Sequence, residues 1–148
     1  MSWQKLTAGV STRANLISYF NGNHDAPDTW IAYDGSIEGA VNATWTKAYY
    51  RFVSSKTIEI TLKCTMTGAV TGAITVGPPP GMSFDLNHWD IGGTALAYRD
   101  GVTHMATMVQ NGTTLAIYGS GVWNATVPFT WQTNDILVIN VRIPVTLA

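Results

Sequence analysis

Apolar and polar residues alternate most regularly in the segment "TIEITLKCTM", residues 57 to 66. Its apolar residues take every second position from Ile58 to Met66, with polar or charged residues between them. Successive side chains of a β-strand point to opposite faces of a sheet, so this pattern predicts a strand with one buried face. The preceding segment "ATWTKAYYRFV" predicts a second strand, and Ser54-Ser55-Lys56 predicts the turn that joins the two as a hairpin.

Turn signals divide the next part of the chain into further strands. Asp100-Gly101 and Asn111-Gly112 suit tight hairpin turns because both central positions of such turns need positive φ, and they predict a three-stranded meander over residues 94 to 119. Upstream, "AITV" ends at "GPPPG", where proline has no backbone N–H for a strand ladder. The segment "VWNATVPF", residues 122 to 129, predicts another short strand.

The last strand is apolar on one face and partly apolar on the other. Ile136 and Val138 share the second face, which predicts a position near the middle of a sheet. The first face carries Leu137, Ile139, Val141, Ile143 and Val145. Seven or eight short strands of this kind predict a mainly β fold, an antiparallel β-sandwich of jelly-roll type.

The first forty residues have a different pattern. "STRANLISYFNGN" offers Ser11 or Thr12 as a helix cap and Asn21-Gly22 as a stop, which predicts one short helix, and residues 23 to 39 read as irregular. We therefore divide the chain into an N-terminal arm, residues 1–43, which anchors or assembles the protein, and a β-sandwich domain, residues 44–148. The apolar residues of the arm that we expect to make assembly contacts are Leu16, Ile17, Phe20 and Trp30.

Composition points to self-association. Hydrophobic residues make up 46% of the 148 residues and charged residues only 11%, against roughly 25% charged residues in ordinary soluble domains. Six tryptophans are more than one small core needs. A large interface between subunits would bury them, so we expect a homo-oligomer. The net charge of −1 comes with no basic stripe, and we expect no nucleic-acid partner.

The chain shows neither a charged leader before an apolar segment nor an apolar run of about 20 residues. We expect no secretory signal, no membrane insertion and folding in a reducing cytosol. Cys64 is the only cysteine, so an intramolecular disulfide is impossible. It lies on the apolar face of its strand, where cysteine behaves as a small hydrophobe rather than as a catalytic thiol.

Two polar clusters are candidate ligand sites. His24, Asp25 and Asp28 supply metal-binding atoms, but their spacing matches no known metal loop and favours a polar turn, so we expect no metal or cofactor. "NHWD", with His88, Trp89 and Asp90, has two interpretations: a sugar-stacking tryptophan beside hydrogen-bonding groups, or a tryptophan that anchors a loop to the core. Tyr98 is a further exposed aromatic in the ligand-binding interpretation.

Catalytic patterns are missing from the sequence. His104 falls within a strand, where a structural histidine is expected rather than a base. The nine carboxylates do not form the close pair that glycoside hydrolysis requires. The sequence has no nucleophile elbow, phosphate-binding loop or zinc-ligand spacing. We therefore expect a protein that is not an enzyme.

The segment "VPFTWQTNDILVI", residues 127 to 139, resembles the carboxy-terminal part of β-domains in tail-fibre, minor-tail and receptor-binding proteins of bacteriophages. The stretch "TWTKAYYRFVSSKTIEITLKCTMTGAVTGAITVGPPPG" is similar to the early hairpin and Pro-bearing loop of that family, and "IGGTALAYRDG" to its middle strand. The resemblance covers residues 44 to 148. It implies a virion structural protein, made in the cytoplasm of the bacterial host, homotrimeric and used for attachment to the host surface.

Two other functions remain open at this point. A short arm followed by a β-domain also describes a capsid decoration (cement) or connector protein, which would contact other virion proteins through the arm. A carbohydrate-binding module is the third possibility. In the attachment hypothesis the partner is a host surface glycan or protein, while in the decoration hypothesis the neighbours are other proteins of the particle.

Overall fold

The computed structural model of the chain describes residues 29–33, 37–38, 41–85, 87 and 92–147. Within these residues the chain is mainly β, with ten strands and no helix. The helix predicted around Leu16, Ile17 and Phe20 lies outside the described residues. The strands are β1 (Ile31–Ala32), β2 (Ile37–Glu38), β3 (Val41–Phe52), β4 (Thr57–Val70), β5 (Thr75–Val76), β6 (Met82–Phe84), β7 (Gly92–Arg99), β8 (Val102–Asn111), β9 (Thr114–Tyr118) and β10 (Ile136–Leu147).

The strands form one antiparallel sheet in the order β1-β3-β4-β10-β7-β8-β9-β5-β2. β10 pairs with β4 over residues 136–144 on one side. On its other side it pairs with β7 over residues 136–142 and then with β6 over residues 145–147. The predicted central position of the last strand is confirmed. Two segments of the predicted arm also join the sheet, because β1 pairs with β3 and β2 pairs with β5.

The predicted hairpins are present. β3 and β4 are joined through residues 53–56, and β7, β8 and β9 form the predicted meander. Asp100 and Gly101 have φ of 49° and 83°, the pair of positive values that a type I′ turn requires. The second turn differs from the prediction, because Asn111 pairs with Thr114 as the last residue of β8. Its central residues are therefore Gly112, with φ of 61°, and Thr113.

The strand predicted over residues 122–129 is wrong. This segment makes only an isolated bridge between Tyr118 and Val122 and otherwise forms a loop. Local hydrogen bonds explain the difference: the Asn124 side chain accepts from the backbone N–H of Thr126 at 2.9 Å, a turn that competes with strand pairing. The loop instead packs onto the inner face of the sheet through the buried Trp123.

One hydrophobic core lies on the inner face of the sheet. The alternation predicted for β4 is confirmed, since Ile58, Ile60, Leu62, Cys64 and Met66 are all buried. The inward residues of β10 are buried in the same cluster, as are residues of β7, β8, β9 and β5. Trp123 and Trp131 are the largest fully buried side chains, so the loop between β9 and β10 supplies much of the apolar volume of this core.

An ion pair between the buried Asp135 and the partly exposed Arg99 fixes the turn before β10. Asp135 accepts hydrogen bonds from Arg99 and, at 2.7 Å, from the backbone N–H of Gln132. The Arg99 guanidinium also lies 4.2 Å from the centroid of the Phe129 ring. Phe129 and Trp131, which precede this turn in the chain, have ring centroids 4.8 Å apart. The aromatic stretch near the end of the chain thus closes the core beneath the turn.

A β-bulge in β3 reverses the direction of its side chains. Trp45 pairs with Cys64, but the next pair is Lys47 with Lys63, so Thr46 is an extra residue. Before the bulge Trp45 faces the core, and after it the inward positions are Ala48, Tyr50 and Phe52. The extra residue turns Lys47 to the outer face, the face of the sheet opposite the core, which spares the cost of burying an ammonium group.

Candidate functional site

The outer face of β3, β4 and β10 carries an open cleft of about 390 Å³. Its residues come from four places that the sheet brings together: the segment before β1 and one face of each of the three strands. Antiparallel pairing sets Tyr49 opposite Thr61 on β4, and Thr61 in turn opposite Asn140 on β10. The lining residues are Trp30, Lys47, Tyr49, Glu59, Thr61 and Asn140.

Two aromatic rings form the apolar part of the cleft. Trp30 and Tyr49 are 38% and 39% exposed, so part of each ring faces solvent. The Arg51 guanidinium lies 4.5 Å from the centroid of the Trp30 ring, a cation–π distance. This contact holds the tryptophan beside the outer face of β3. The cleft therefore presents two aromatic surfaces whose positions are set by a strand and by a stacked guanidinium.

Polar groups form the rest of the cleft. Arg51 donates two hydrogen bonds to Oε2 of Glu59, from Nε at 3.1 Å and Nη2 at 2.9 Å. Nη2 of Arg142 lies 3.8 Å from the same oxygen. The Thr61 hydroxyl donates to Oδ1 of Asn140 at 2.9 Å. These contacts fix the carboxylate and the amide while leaving Oε1 of Glu59 and the amide N–H groups of Asn140 without a hydrogen bond among the described residues.

This arrangement suits a sugar ring. Pyranose rings have an apolar face of C–H groups, which packs on aromatic rings, and a rim of hydroxyls, which pair with carboxylate, amide and hydroxyl groups. Binding sites commonly combine such apolar surface with a few placed polar groups. Lys47 adds a positive charge at the edge of the cleft. The cleft thus sets stacking surface and hydrogen-bonding groups side by side.

The structure places the residues predicted from sequence in different regions. Trp30, assigned to assembly contacts of the arm, lines the cleft. Tyr98 lies on the outer face of β7 opposite Ile136, four residues along β10 from Asn140, and does not line it. The remaining predicted residues lie outside the described residues: His88, Trp89 and Asp90 of the loop site, Leu16, Ile17 and Phe20 of the arm, and His24, Asp25 and Asp28.

Sequence reasoning missed most of the cleft. Glu59 and Thr61 stand at positions that the alternating pattern of β4 assigns to the outer face, so their exposure was predictable, whereas Tyr49 follows the bulge in β3, which reverses the alternation. Asn140 is 79 residues from Thr61 in the chain, and only the register of β4 against β10 makes them neighbours. The available signal was a polar outer face with an aromatic residue on it, which alone does not define a site.

Cys64 and His104, the other side chains considered as catalytic groups, are packed against neighbouring residues. Burial raises the pKa of the Cys64 thiol to about 12, which keeps it protonated and makes it a poor nucleophile. The His104 ring packs edge-on against Phe129, with centroids 5.3 Å apart. Among the described residues no three His, Cys, Asp or Glu side chains are grouped so that they could hold a metal ion. In the same part of the chain we find no helix with the length and hydropathy that crossing a bilayer requires.

Comparisons with known proteins add no indication of function to that given by the cleft. Searches with models of protein families, against curated proteins and against solved structures found no match for this chain.

Proposed function

We propose that this chain is a non-enzymatic structural protein of a bacteriophage virion that attaches to a saccharide on the host surface. The observation that carries the proposal is the cleft, in which Trp30 and Tyr49 stand beside the fixed polar groups of Glu59, Thr61 and Asn140. The resemblance of residues 127–139 to receptor-binding β-domains of phages supports it. In that segment, Phe129 and Trp131 pack beneath the turn that leads into a central strand.

We further propose that the sheet folds over its own core as an antiparallel sandwich of jelly-roll type. β4 and β9 are separated by three strands in the sheet, yet Ile60 of β4 and Ile117 of β9 belong to one buried cluster. A sheet that shares one core between distant strands must curve strongly. The loops at its ends would then be available to the particle or to the host.

Self-association is part of the proposal, as a homotrimer. The outer face carries an apolar row in which Val138, Leu96 and Met105 stand opposite one another on β10, β7 and β8. Met105 is 71% exposed. These three side chains bear no charge, and the apolar row ends at Lys63, which stands opposite Val138 on β4. A second copy of the same face supplies a matching apolar surface, and such contacts bury apolar residues that would otherwise face water.

A mutational test of the apolar row uses a matched control. Met105→Glu places a charge in the row, whereas Val102→Glu places the same charge on the opposite face of the same strand at another exposed position. Light scattering should give a trimer for the wild type and Val102→Glu, and a smaller species for Met105→Glu. An unchanged mass for Met105→Glu would place the contact elsewhere, and a wild-type monomer would exclude self-association.

Saccharide attachment is tested on an array of bacterial surface polysaccharides. Trp30→Ala and Tyr49→Ala each remove one aromatic surface, and loss of one stacking contact should weaken binding about 10-fold. Tyr98→Ala is the control, since it removes an equally exposed aromatic outside the cleft. Loss of binding on Tyr98→Ala alone would transfer the site to the Trp89 loop. A wild-type protein that binds no polysaccharide would contradict attachment and favour the decoration or connector function.

A further inference from the structure

Two lysines stand side by side at the edge of the cleft. Lys47 on β3 and Lys63 on β4 are register partners, and both are exposed on the outer face. Residues directly opposite one another in an antiparallel pair have their Cβ atoms about 5 Å apart, and like charges there repel. Neither ammonium group forms an ion pair or hydrogen bond with the described residues. The sheet therefore holds two positive charges together with no anionic group of the described residues paired with either.

The described carboxylate of the cleft does not pair with these lysines. Among the described residues Glu59 is the only carboxylate that lines the cleft, and it is engaged by Arg51 and Arg142. Lys47 and Lys63 are thus two cations without an ion pair among the described residues. Two such charges at the rim of a concave site attract anions from solution.

The β-bulge contributes directly to this geometry. The extra residue, Thr46, bonds through its hydroxyl to the backbone carbonyl of Lys63 at 3.3 Å. Without the extra residue, the alternation that turns Trp45 inward would also turn Lys47 inward. Bulges commonly re-aim a side chain beside a functional site. Here the bulge places Lys47 next to Lys63 at the edge of the cleft.

We infer that the cleft takes an acidic saccharide, a sugar bearing a carboxylate or phosphate group, with the anion between Lys47 and Lys63 and the ring against Trp30 and Tyr49. This inference rests on the proposed attachment function and narrows its ligand class. Lysine ammonium groups act as strongly hydrated point charges and pair with either kind of anion. The aromatic rings and the Asn140 amide contact the sugar ring, so a free anion without a sugar would make only part of these contacts.

The test compares polysaccharides that differ in charge but not in sugar. Polygalacturonate carries one carboxylate on each ring, and its fully methyl-esterified form carries none; a poly(glycerol phosphate) teichoic acid represents the phosphate source. Binding of the full-length protein to each is measured by biolayer interferometry at 50 and 500 mM NaCl. We expect at least 10-fold tighter binding to one acidic polymer than to the ester, and weakening at high salt because ions screen the exposed charges. Whichever acidic polymer binds identifies the anion.

Matched lysine variants locate the anion. Lys47→Gln and Lys63→Gln should each weaken binding to the acidic polymer several-fold. Lys56→Gln removes another exposed lysine in the hairpin turn, seven residues along the chain from Lys63, and should leave binding unchanged. In the absence of any saccharide, Lys63→Gln should raise Tm by about 1–2 °C because it relieves the repulsion between the lysines.

The outcomes separate this inference from the attachment function. Equal binding of the acidic and esterified polymers, with no effect of either lysine variant, overturns the acidic ligand and leaves saccharide attachment standing. If Lys56→Gln weakens binding to the acidic polymer as much as Lys47→Gln and Lys63→Gln do, the binding reflects net charge alone, and the proposed anion site is overturned. Failure of the wild type to bind these polymers and every member of the polysaccharide array overturns attachment itself. A lower Tm for Lys63→Gln contradicts the repulsive pair.

Discussion

Removal of the Asp135 carboxylate is expected to lower the free energy of unfolding by about 3 kcal/mol. Asp135 is buried, with a side chain only 3% exposed, and it accepts hydrogen bonds from Arg99 and from the backbone N–H of Gln132. Asp135→Ala leaves the guanidinium and the N–H group without their acceptor. Breaking a buried ion pair by removing one partner typically costs about 3–5 kcal/mol.

The lower end of that range applies for two structural reasons. The Arg99 side chain is 24% exposed, so water reaches part of the guanidinium once the carboxylate is gone. Nη2 of Arg99 also keeps its hydrogen bond to the backbone carbonyl of Thr130 at 2.6 Å. The total stability of a chain of this length is on the order of 7–20 kcal/mol, so the variant should still fold.

Equilibrium unfolding in urea, followed by tryptophan fluorescence, measures this effect. The buried Trp123 and Trp131 lie next to the affected turn and report its loss. Glu59→Gln is the control, because the Arg51–Glu59 pair is more exposed, at 27% for each side chain, and should contribute less than about 1 kcal/mol. A loss below about 1 kcal/mol for Asp135→Ala would refute the argument that this ion pair holds the turn.

Three further predictions concern the backbone and the core. Gly93→Ala places a methyl group 2.7 Å from Cγ of Met108 and should lower the free energy of unfolding by about 1–3 kcal/mol in the same assay. Gly92→Ala, with no described atom within 4 Å, should be close to neutral, and equal losses for the two variants would contradict the close packing at Gly93. Gly101→Ala meets no neighbour but must adopt φ of 83°, so thermal unfolding should show a loss of about 1–2 kcal/mol. Burial raises the pKa of Cys64 from 9.0 to about 12, so iodoacetamide at pH 8 should modify this thiol only in the unfolded protein; rapid labelling of the native protein would contradict its burial. The contribution of the thiol to stability should be complete below pH 9 and should be lost as pH rises towards 12.

The strand content of this protein was predictable because it follows from local pattern. Alternation from Ile58 to Met66 identified β4 and its buried face, and Asp100-Gly101 identified a hairpin. The prediction failed at residues 122–129, where short-range alternation resembles a strand but the Asn124 side chain stabilises a turn. It also missed the three-residue strand β6, which is too short to show a period.

The candidate site required the tertiary structure. The sequence by itself determined which residues of β4 and β10 face inward and which face outward, since side chains alternate along a strand. It did not determine that Thr46 is a bulge, which decides that Lys47 faces outward beside Lys63. Nor did it determine the register that brings Asn140 to Thr61, because pairing between distant strands depends on how the whole core packs rather than on neighbouring residues.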